Sequence, residues 1–437
     1  MSVSTRREEI SPAGTSGPQA STGLLSNRWT QLALGVLCTV MLSNMQYGWT
    51  LFVNPMRDAM HWQNASIQVA FTTMIFVNTW LAPLEGWFVD RYGPRPVVML
   101  GGIMAGLSWI LNSRAQSLPE LYAGAVVGGI GVGCVFGTCM GTALKWFPDR
   151  RGLASGMIAA GFGLGAAITV IPLAAHIASK GYRDAFLFFG AIQGGTILLV
   201  GMFLAKPLPR LAVKSVGSRI VQGAEVAPSK TIRTGTFWLI YLIYVMIAFG
   251  GMVVTAQLGP IARDFHIDKN LIVFAGMSLP LLTLTLSLDN FANGITRPLC
   301  GFLSDRIGRE NTMLLVFSLE AVALGGMALF GRTPAAFVLF AVLIFLCWGE
   351  VFSIFPAVCG DTFGIRNAAA NNGLLYTAKG VSSAAVPLAG LLASAAGGWP
   401  GVLLTAALSS VLAGVLAKFV LAPMRRRIAA GASEAAA

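Results

Sequence analysis

Two cations stand where an apolar chain has least use for them. Lys379, in "LLYTAKGVSSAAV" (374–386), has about nine residues of mostly small and apolar chain on either side, and Arg297 lies in a second apolar run. An ammonium near the centre of a bilayer span costs roughly 2.5 to 3.5 kcal/mol on insertion-based scales, so it needs a partner or a task. Helical spacing groups each cation with polar company: Asn290, Asn293 and Arg297 share one face, and Asn372, Tyr376, Lys379 and Ser383 share another. Two such stripes imply a water-accessible path. A guanidinium forks onto a carboxylate through two N–H groups, and an ammonium is a mobile point charge. Together they suit a small anion with one or two carboxylates. The competing reading is snorkelling or pairing with a nearby acid, for which Lys379 is too central and Arg297, nearer one end of its run, is better placed.

The elements that hold these residues follow from composition. Of 437 residues, 55% are hydrophobic and 11% charged, against about 25% charged in soluble domains. This is the profile of an all-α polytopic membrane protein. At about 20 residues per crossing, twelve apolar stretches begin near residues 30, 66, 97, 120, 153, 184, 235, 271, 312, 334, 369 and 399. The longest polar interruption divides them six and six. The expected domains are a disordered cytoplasmic tail (1–28), a six-helix bundle (29–205), a cytoplasmic linker (206–233), a second six-helix bundle (234–423) and a cytoplasmic tail (424–437). The first residues are rich in Ser, Thr, Gly and Pro with no apolar core, and Glu8 and Glu9 follow Arg6 and Arg7, which is unlike a secretory or twin-arginine signal.

The net charge of +12 does not point to nucleic acid, because the basic residues sit in short loops and tails between apolar runs. Roughly twenty of them fall in the tails and the loops on the side of the termini, against about seven on the other side. The positive-inside rule then places both termini in the cytoplasm of a multi-pass protein of the inner membrane. Six cysteines all lie in apolar stretches without a CxxC pair, which reads as buried packing. Three scattered histidines and the absence of a glycine-rich loop after a strand give no metal cluster, nucleotide cofactor or catalytic triad, so no enzyme is expected.

The halves repeat each other. "GWFVDRYGPR" (86–95) recurs as "GFLSDRIGRE" (301–310) at an offset of 215, and the same offset carries Arg151 onto Arg366. Duplications of this kind place substrate between the halves near the midplane. The offset also maps Arg297 to Ala82 and Lys379 to Leu164, so the scaffold alone does not require either charge.

The pattern Gly86, Asp90, Arg91 and Gly93, repeated as Gly301, Asp305, Arg306 and Gly308, resembles the loop signature of the major facilitator superfamily. Within it, "STGLLSNRW", "QYGWTLFVNP", "WFPDRRGLASG", "NGITRPLCGFLSDRIGR" and "YTAKG" are similar to the oxalate:formate antiporter family. The resemblance covers nearly the whole chain. It implies two six-helix bundles, signature loops that latch the cytoplasmic side, and Arg297 and Lys379 as holders of the two ends of oxalate. It further implies pocket walls at Gln46, Tyr47, Trp49, Phe136, Phe162, Trp348 and Phe352, with Asn293 and Tyr376 beside the cations. The chain departs from the family in having Phe136, Phe162 and Phe352 where the antiporter has tyrosines, and Tyr376 where it has tryptophan. Fewer hydroxyls leave room for a more apolar monocarboxylate.

Two acids enter the charge count. Glu350 lies about 200° round an ideal helix from Trp348 and should face away from the aromatic side, and Asp289 precedes Asn293 by one turn. Each is either a structural carboxylate or a proton-coupling site. The expected function is exchange of small carboxylates by rocking alternating access in a monomer. The alternative is proton-coupled uptake of a monocarboxylate such as lactate or pyruvate.

Overall fold

The computed structural model describes residues 27–147, 151–206, 226–274, 277–364, 367–395 and 397–434, with the backbone alone at 86–87, 90, 144, 151–152, 274, 277, 305, 368–369 and 429–434. The amino-terminal half contains Arg28–Tyr47 (α1), Thr50–Met60 (α2), Asn64–Tyr92 (α3), Pro94–Arg114 (α4), Leu118–Trp146 (α5), Arg151–Lys180 (α6) and Tyr182–Gly201 (α7). After a short helix, Pro228–Thr231 (α8), come Gly235–Asp264 (α9), the strands Leu271–Phe274 (β1) and Met277–Pro280 (β2), and Leu281–Ile307 (α10). The chain continues through Arg309–Phe330 (α11), Pro334–Trp348 (α12), Val351–Phe363 (α13), Ala368–Ser383 (α14), Ala385–Ala395 (α15) and Pro400–Val415 (α16). A π-helical turn, Leu416–Leu421, leads into Ala422–Glu434 (α17). Most of the amino-terminal tail and of the linker lies outside the described residues.

Twelve helical crossings result, because α1 with α2, α12 with α13, α14 with α15, and α16 with α17 each form one broken or bent rod. Ten are long and apolar enough to cross a membrane by length and composition. The two that fall short are α1 with α2, which carries Gln46 and Tyr47, and α10, which carries Asp289, Asn293 and Arg297. The residues that could do chemistry are what lower their hydropathy.

The repeat is visible in the backbone. Gly93 and Gly308, 215 apart, have φ of 91° and 92°. Each ends one helix and begins the next with no residue between (α3 to α4, α10 to α11), a reversal that needs positive φ and so glycine. Pro83 in α3 and Pro298 in α10 stand at the same offset. Between His61 and His266, the left-handed residues that follow α2 and α9, the offset is only 205. The ten-residue difference is the hairpin Leu271–Pro280, paired from Leu271↔Pro280 to Phe274↔Met277. This corrects the expectation that the eighth span begins near 271. Leu279 precedes a proline and is held extended, so the helix starts only at Leu281, while exposed Leu271 and Val273 gave the strand the apolarity of a span.

The halves meet along two seams that the repeat exchanges, α6 against α10 and α3 against α14. Lipid supplies no hydrophobic drive between helices, so close contact depends on small residues. A Cβ on Gly294 would lie 2.4 Å from Leu164 Cγ, and one on Gly380 would lie 2.2 Å from Thr79 Oγ1. Position 294 answers to position 79 at the repeat offset.

Candidate functional site

Arg297 is 1% exposed and directly precedes Pro298, whose missing N–H releases the carbonyl of Gly294 from the helix ladder. Its Nη2 donates to Tyr47 Oη at 2.9 Å and to Asn293 Oδ1 at 2.8 Å, and its Nη1 donates to the Ala159 carbonyl. One side chain of α10 therefore reaches both α1 and α6 of the other half. Asn293 is itself aimed by its Nδ2, which donates to Phe345 O at 3.2 Å. The approach depends on Gly349, where a Cβ would lie 2.5 Å from Asn293 O.

Lys379 is fully buried. Its Nζ donates to Gln46 Oε1 at 3.0 Å and to Tyr376 Oη at 3.2 Å. Adjacent residues of α1, Gln46 and Tyr47, thus each meet one cation of the carboxy-terminal half. The ring of Phe352 touches both, with its centroid 4.3 Å from Arg297 Cζ and 5.1 Å from Lys379 Nζ. Among the described residues, neither cation has a carboxylate within ion-pair distance. Three donors nearby are buried without a partner: Arg297 Nε, Gln46 Nε2 and Trp348 Nε1. Leaving a buried polar group unsatisfied costs about 1 to 3 kcal/mol. The side-chain and backbone groups that the two cations meet are neutral, and three donors beside them are unmatched.

Aromatic rings surround this centre. Phe162 lies 5.4 Å from Tyr47 and 5.2 Å from Phe136, and Phe352 lies 5.8 Å from Trp348 and 6.5 Å from Tyr376. Trp348 packs on Gly251 of α9, where a Cβ would meet its ring at 2.3 Å.

Trp49 is placed elsewhere. Its indole N–H donates to Gln68 Oε1 at 3.1 Å, and Gln68 Nε2 donates to Gln257 Oε1 at 3.1 Å and to Ala256 O at 2.7 Å. Gln257 Nε2 in turn donates to Val386 O at 3.0 Å. The ion pair Arg263–Asp58 at 2.9 Å and the bond from Gly259 N to Thr50 Oγ1 at 2.8 Å join the halves at the same end of the bundle, away from the termini. Sequence reasoning did not find Gln68 and Gln257. Each is a lone amide in an apolar run, a signal that flags the residue but not its partner.

Asp289 and Glu350 are fully buried with all four carboxylate oxygens unpartnered. Glu350 sits between α12 and α13, where it and Gly349 keep helical backbone angles, and within electrostatic reach of Glu320. Two more buried acids escaped sequence reading although each interrupts an apolar stretch. Glu320 Oε2 accepts from Ser410 Oγ at 3.1 Å. Glu85 lies against Gly133, where a Cβ would be 2.3 Å from Oε1.

Of the signature residues, Gly86 and Arg91 lie on α3, and Gly301 and Arg306 on α10. Arg91 and Arg306 stack over Tyr92 and Phe302, with Cζ 5.8 and 4.2 Å from the ring centroids. The side chains of Asp90 and Asp305, on which the latch expectation rests, lie outside the described residues.

A twelve-helix membrane protein with buried cations at the seam of two repeated bundles has the architecture of a transporter. The model of the Major Facilitator Superfamily matches residues 32–385 and 240–436. The chain is 36% identical over 413 residues to the oxalate:formate antiporter of Oxalobacter formigenes, covering 93% of this chain and 95% of that one. It is 25% identical over 361 residues to the uncharacterized MFS-type transporter YhjX of Escherichia coli (strain K12), covering 82% and 86%. A solved structure of a mutant nucleoside transporter, NupG, has a TM-score of 0.67 at 13% identity, covers 90% of this chain and 99% of that one, and speaks to fold alone. The chain therefore belongs to the Major Facilitator Superfamily and, within it, to the oxalate:formate antiporter family.

Proposed function

We propose that the protein exchanges small carboxylates of the oxalate and formate type across the inner membrane, with Arg297 and Lys379 gripping the carboxylate. The observation that carries this reading is the set of buried, unpartnered donors on Arg297, Gln46 and Trp348 around two cations that have no counter-carboxylate. A carboxylate brings acceptor lone pairs for those donors and negative charge for the two cations. Both termini lie in the cytoplasm, and the halves rock about the site, with the Trp49–Gln68–Gln257 network closing the external end and the signature loops closing the other.

Empty, the carrier must occlude two positive charges that meet only neutral acceptors, at a cost of several kcal/mol per uncompensated ion. A bound carboxylate offsets that cost, so the loaded carrier reorients faster and exchange follows. The identity to the Oxalobacter formigenes antiporter supports the substrate class. Phe136, Phe162 and Phe352 make the walls more apolar than that family's tyrosines and extend the substrate range towards monocarboxylates.

The test is efflux of labelled oxalate or formate from proteoliposomes of the purified protein. Label is expected to leave when a carboxylate is present outside and to stay otherwise. Net flux driven by a pH gradient would instead support the second reading, a proton symporter, which the orphaned carboxylates of Asp289 and Glu350 favour. In that mechanism a protonatable acid cancels a cation and lets the carrier return empty.

A further inference from the structure

Phe352 has no hydrogen-bonding atom, yet it is the ring that both buried cations touch, at 4.3 Å from Arg297 Cζ and 5.1 Å from Lys379 Nζ. Both distances fall within the roughly 6 Å over which the negative face of a ring attracts a cation. Arg297 and Lys379 are 1% and 0% exposed, whereas Phe352 is only partly buried. Of the three residues, Phe352 is the least enclosed. Its other ring neighbours meet it edge-on or tilted, Trp348 at 5.8 Å and Tyr376 at 6.5 Å, so neither lies stacked on the face it turns to the cations. Phe352 is also the second residue of α13, just after Gly349 and Glu350, which join α12 to α13.

Resting on the carboxylate reading above, the geometry points to Phe352 as an aromatic lid: its ring covers Arg297 and Lys379 while the carrier is empty and swings aside when a carboxylate enters. The ring face supplies partial negative charge without a full anion, so it offsets part of the cost of occluding the two cations. Two consequences separate a lid from a plain wall. The lid competes with the substrate, so removing it strengthens binding. It also lets a fraction of empty carriers reorient, so the protein leaks a little net flux beside exchange, and removing the lid suppresses that leak.

The experiment uses the full chain as wild type, Phe352→Leu, Phe352→Met and Phe352→Tyr, with oxalate and formate as the probes. Binding is read in detergent, and exchange and net efflux are read in proteoliposomes. Phe352→Leu is expected to bind about tenfold more tightly, the scale of a desolvated cation–π contact, and to lose about tenfold of its net efflux relative to its own exchange. Phe352→Met, closer to phenylalanine in volume, gives the same result should the leucine variant not fold. Phe352→Tyr keeps the ring and the wild-type ratio of efflux to exchange. Weaker binding in the leucine and methionine variants, or an unchanged ratio, overturns the lid while leaving the carboxylate site standing. Failure of the wild type to bind either probe overturns both.

Discussion

The two halves share a backbone plan and differ in where they bury charge. The carboxy-terminal half buries Asp289, Arg297, Glu320, Glu350 and Lys379. The repeat offset places Met74, Ala82, Ala105, Val135 and Leu164 at the matching positions of the amino-terminal half. In the opposite direction Glu85 answers to Cys300. What the halves have in common, Pro83 with Pro298 and Gly93 with Gly308, is what the fold needs to kink and reverse its helices. What only one half has is the chemistry. The amino-terminal half answers the cations with neutral acceptors, Gln46 Oε1, Tyr47 Oη and the Ala159 carbonyl. Parting the halves at this seam would take these three acceptors from the cations and leave them Asn293 and Tyr376 of their own half, and in the proposed exchange the anion fills that loss.

The strongest way to break this comparison is Arg297→Ala. It removes the donor shared by Tyr47, Asn293 and Ala159 and one of the two charges. A hydrogen bond to a charged group is worth about 1.5 to 3 kcal/mol and the guanidinium fork can make two to a carboxylate, so exchange of labelled carboxylate is expected to fall at least about 100-fold, with Lys379→Ala close behind. The same experiment on the half-buried repeat counterpart, Ala82→Ser, which changes volume little, should leave flux within about twofold. Equal losses at 82 and 297 would mean that the repeat position, and not the charge, is what transport requires.

A smaller effect is expected from Asn293→Ala, which takes one acceptor from Arg297 but leaves Tyr47 and Ala159. A hydrogen bond to a charged group is worth about 1.5 to 3 kcal/mol, so KM for the carboxylate should rise roughly tenfold with the protein still folded by thermal melting. An unchanged KM would show that Tyr47 and the Ala159 carbonyl alone aim the guanidinium.

Much of this arrangement is legible in the amino-acid sequence because charge in an apolar run is expensive and so conspicuous. Arg297 and Lys379 stand out for that reason, and the structure brings both onto Gln46 and Tyr47. The offset of 215 likewise finds the two reversals at Gly93 and Gly308. What is not legible depends on local breaks and distant pairing. Leu271–Pro280 has the composition of a span start, and only the Leu279–Pro280 step marks it as extended chain. Trp49 follows Gly48, whose φ of −90° and ψ of −11° depart from a regular helix, so the side it occupies is not counted from its neighbours as on a straight rod. Gln68 and Gln257 meet across 189 residues, and nothing local to either one names the other.

The smallest effect sharpens the comparison most. Glu320 is a buried carboxylate on α11, supported by one hydroxyl from Ser410, with Oε1 unpartnered. Its counterpart Ala105 shows that the fold accepts an apolar residue there. If the chemistry of the carboxy-terminal half is confined to the two cations, Glu320→Gln keeps the bond from Ser410, removes a titratable group from the interior, and should leave exchange within about twofold. Thermal stability should hold or rise, because replacing an unpaired buried ionisable group by a neutral one is commonly neutral or stabilising. Both are measurable on one preparation by flux and melting. A loss of exchange comparable to that of Arg297→Ala would show that Glu320, acting on Glu350 beside it, belongs to the machinery. Charge in this half would then work as one connected set reaching from α11 to the seam.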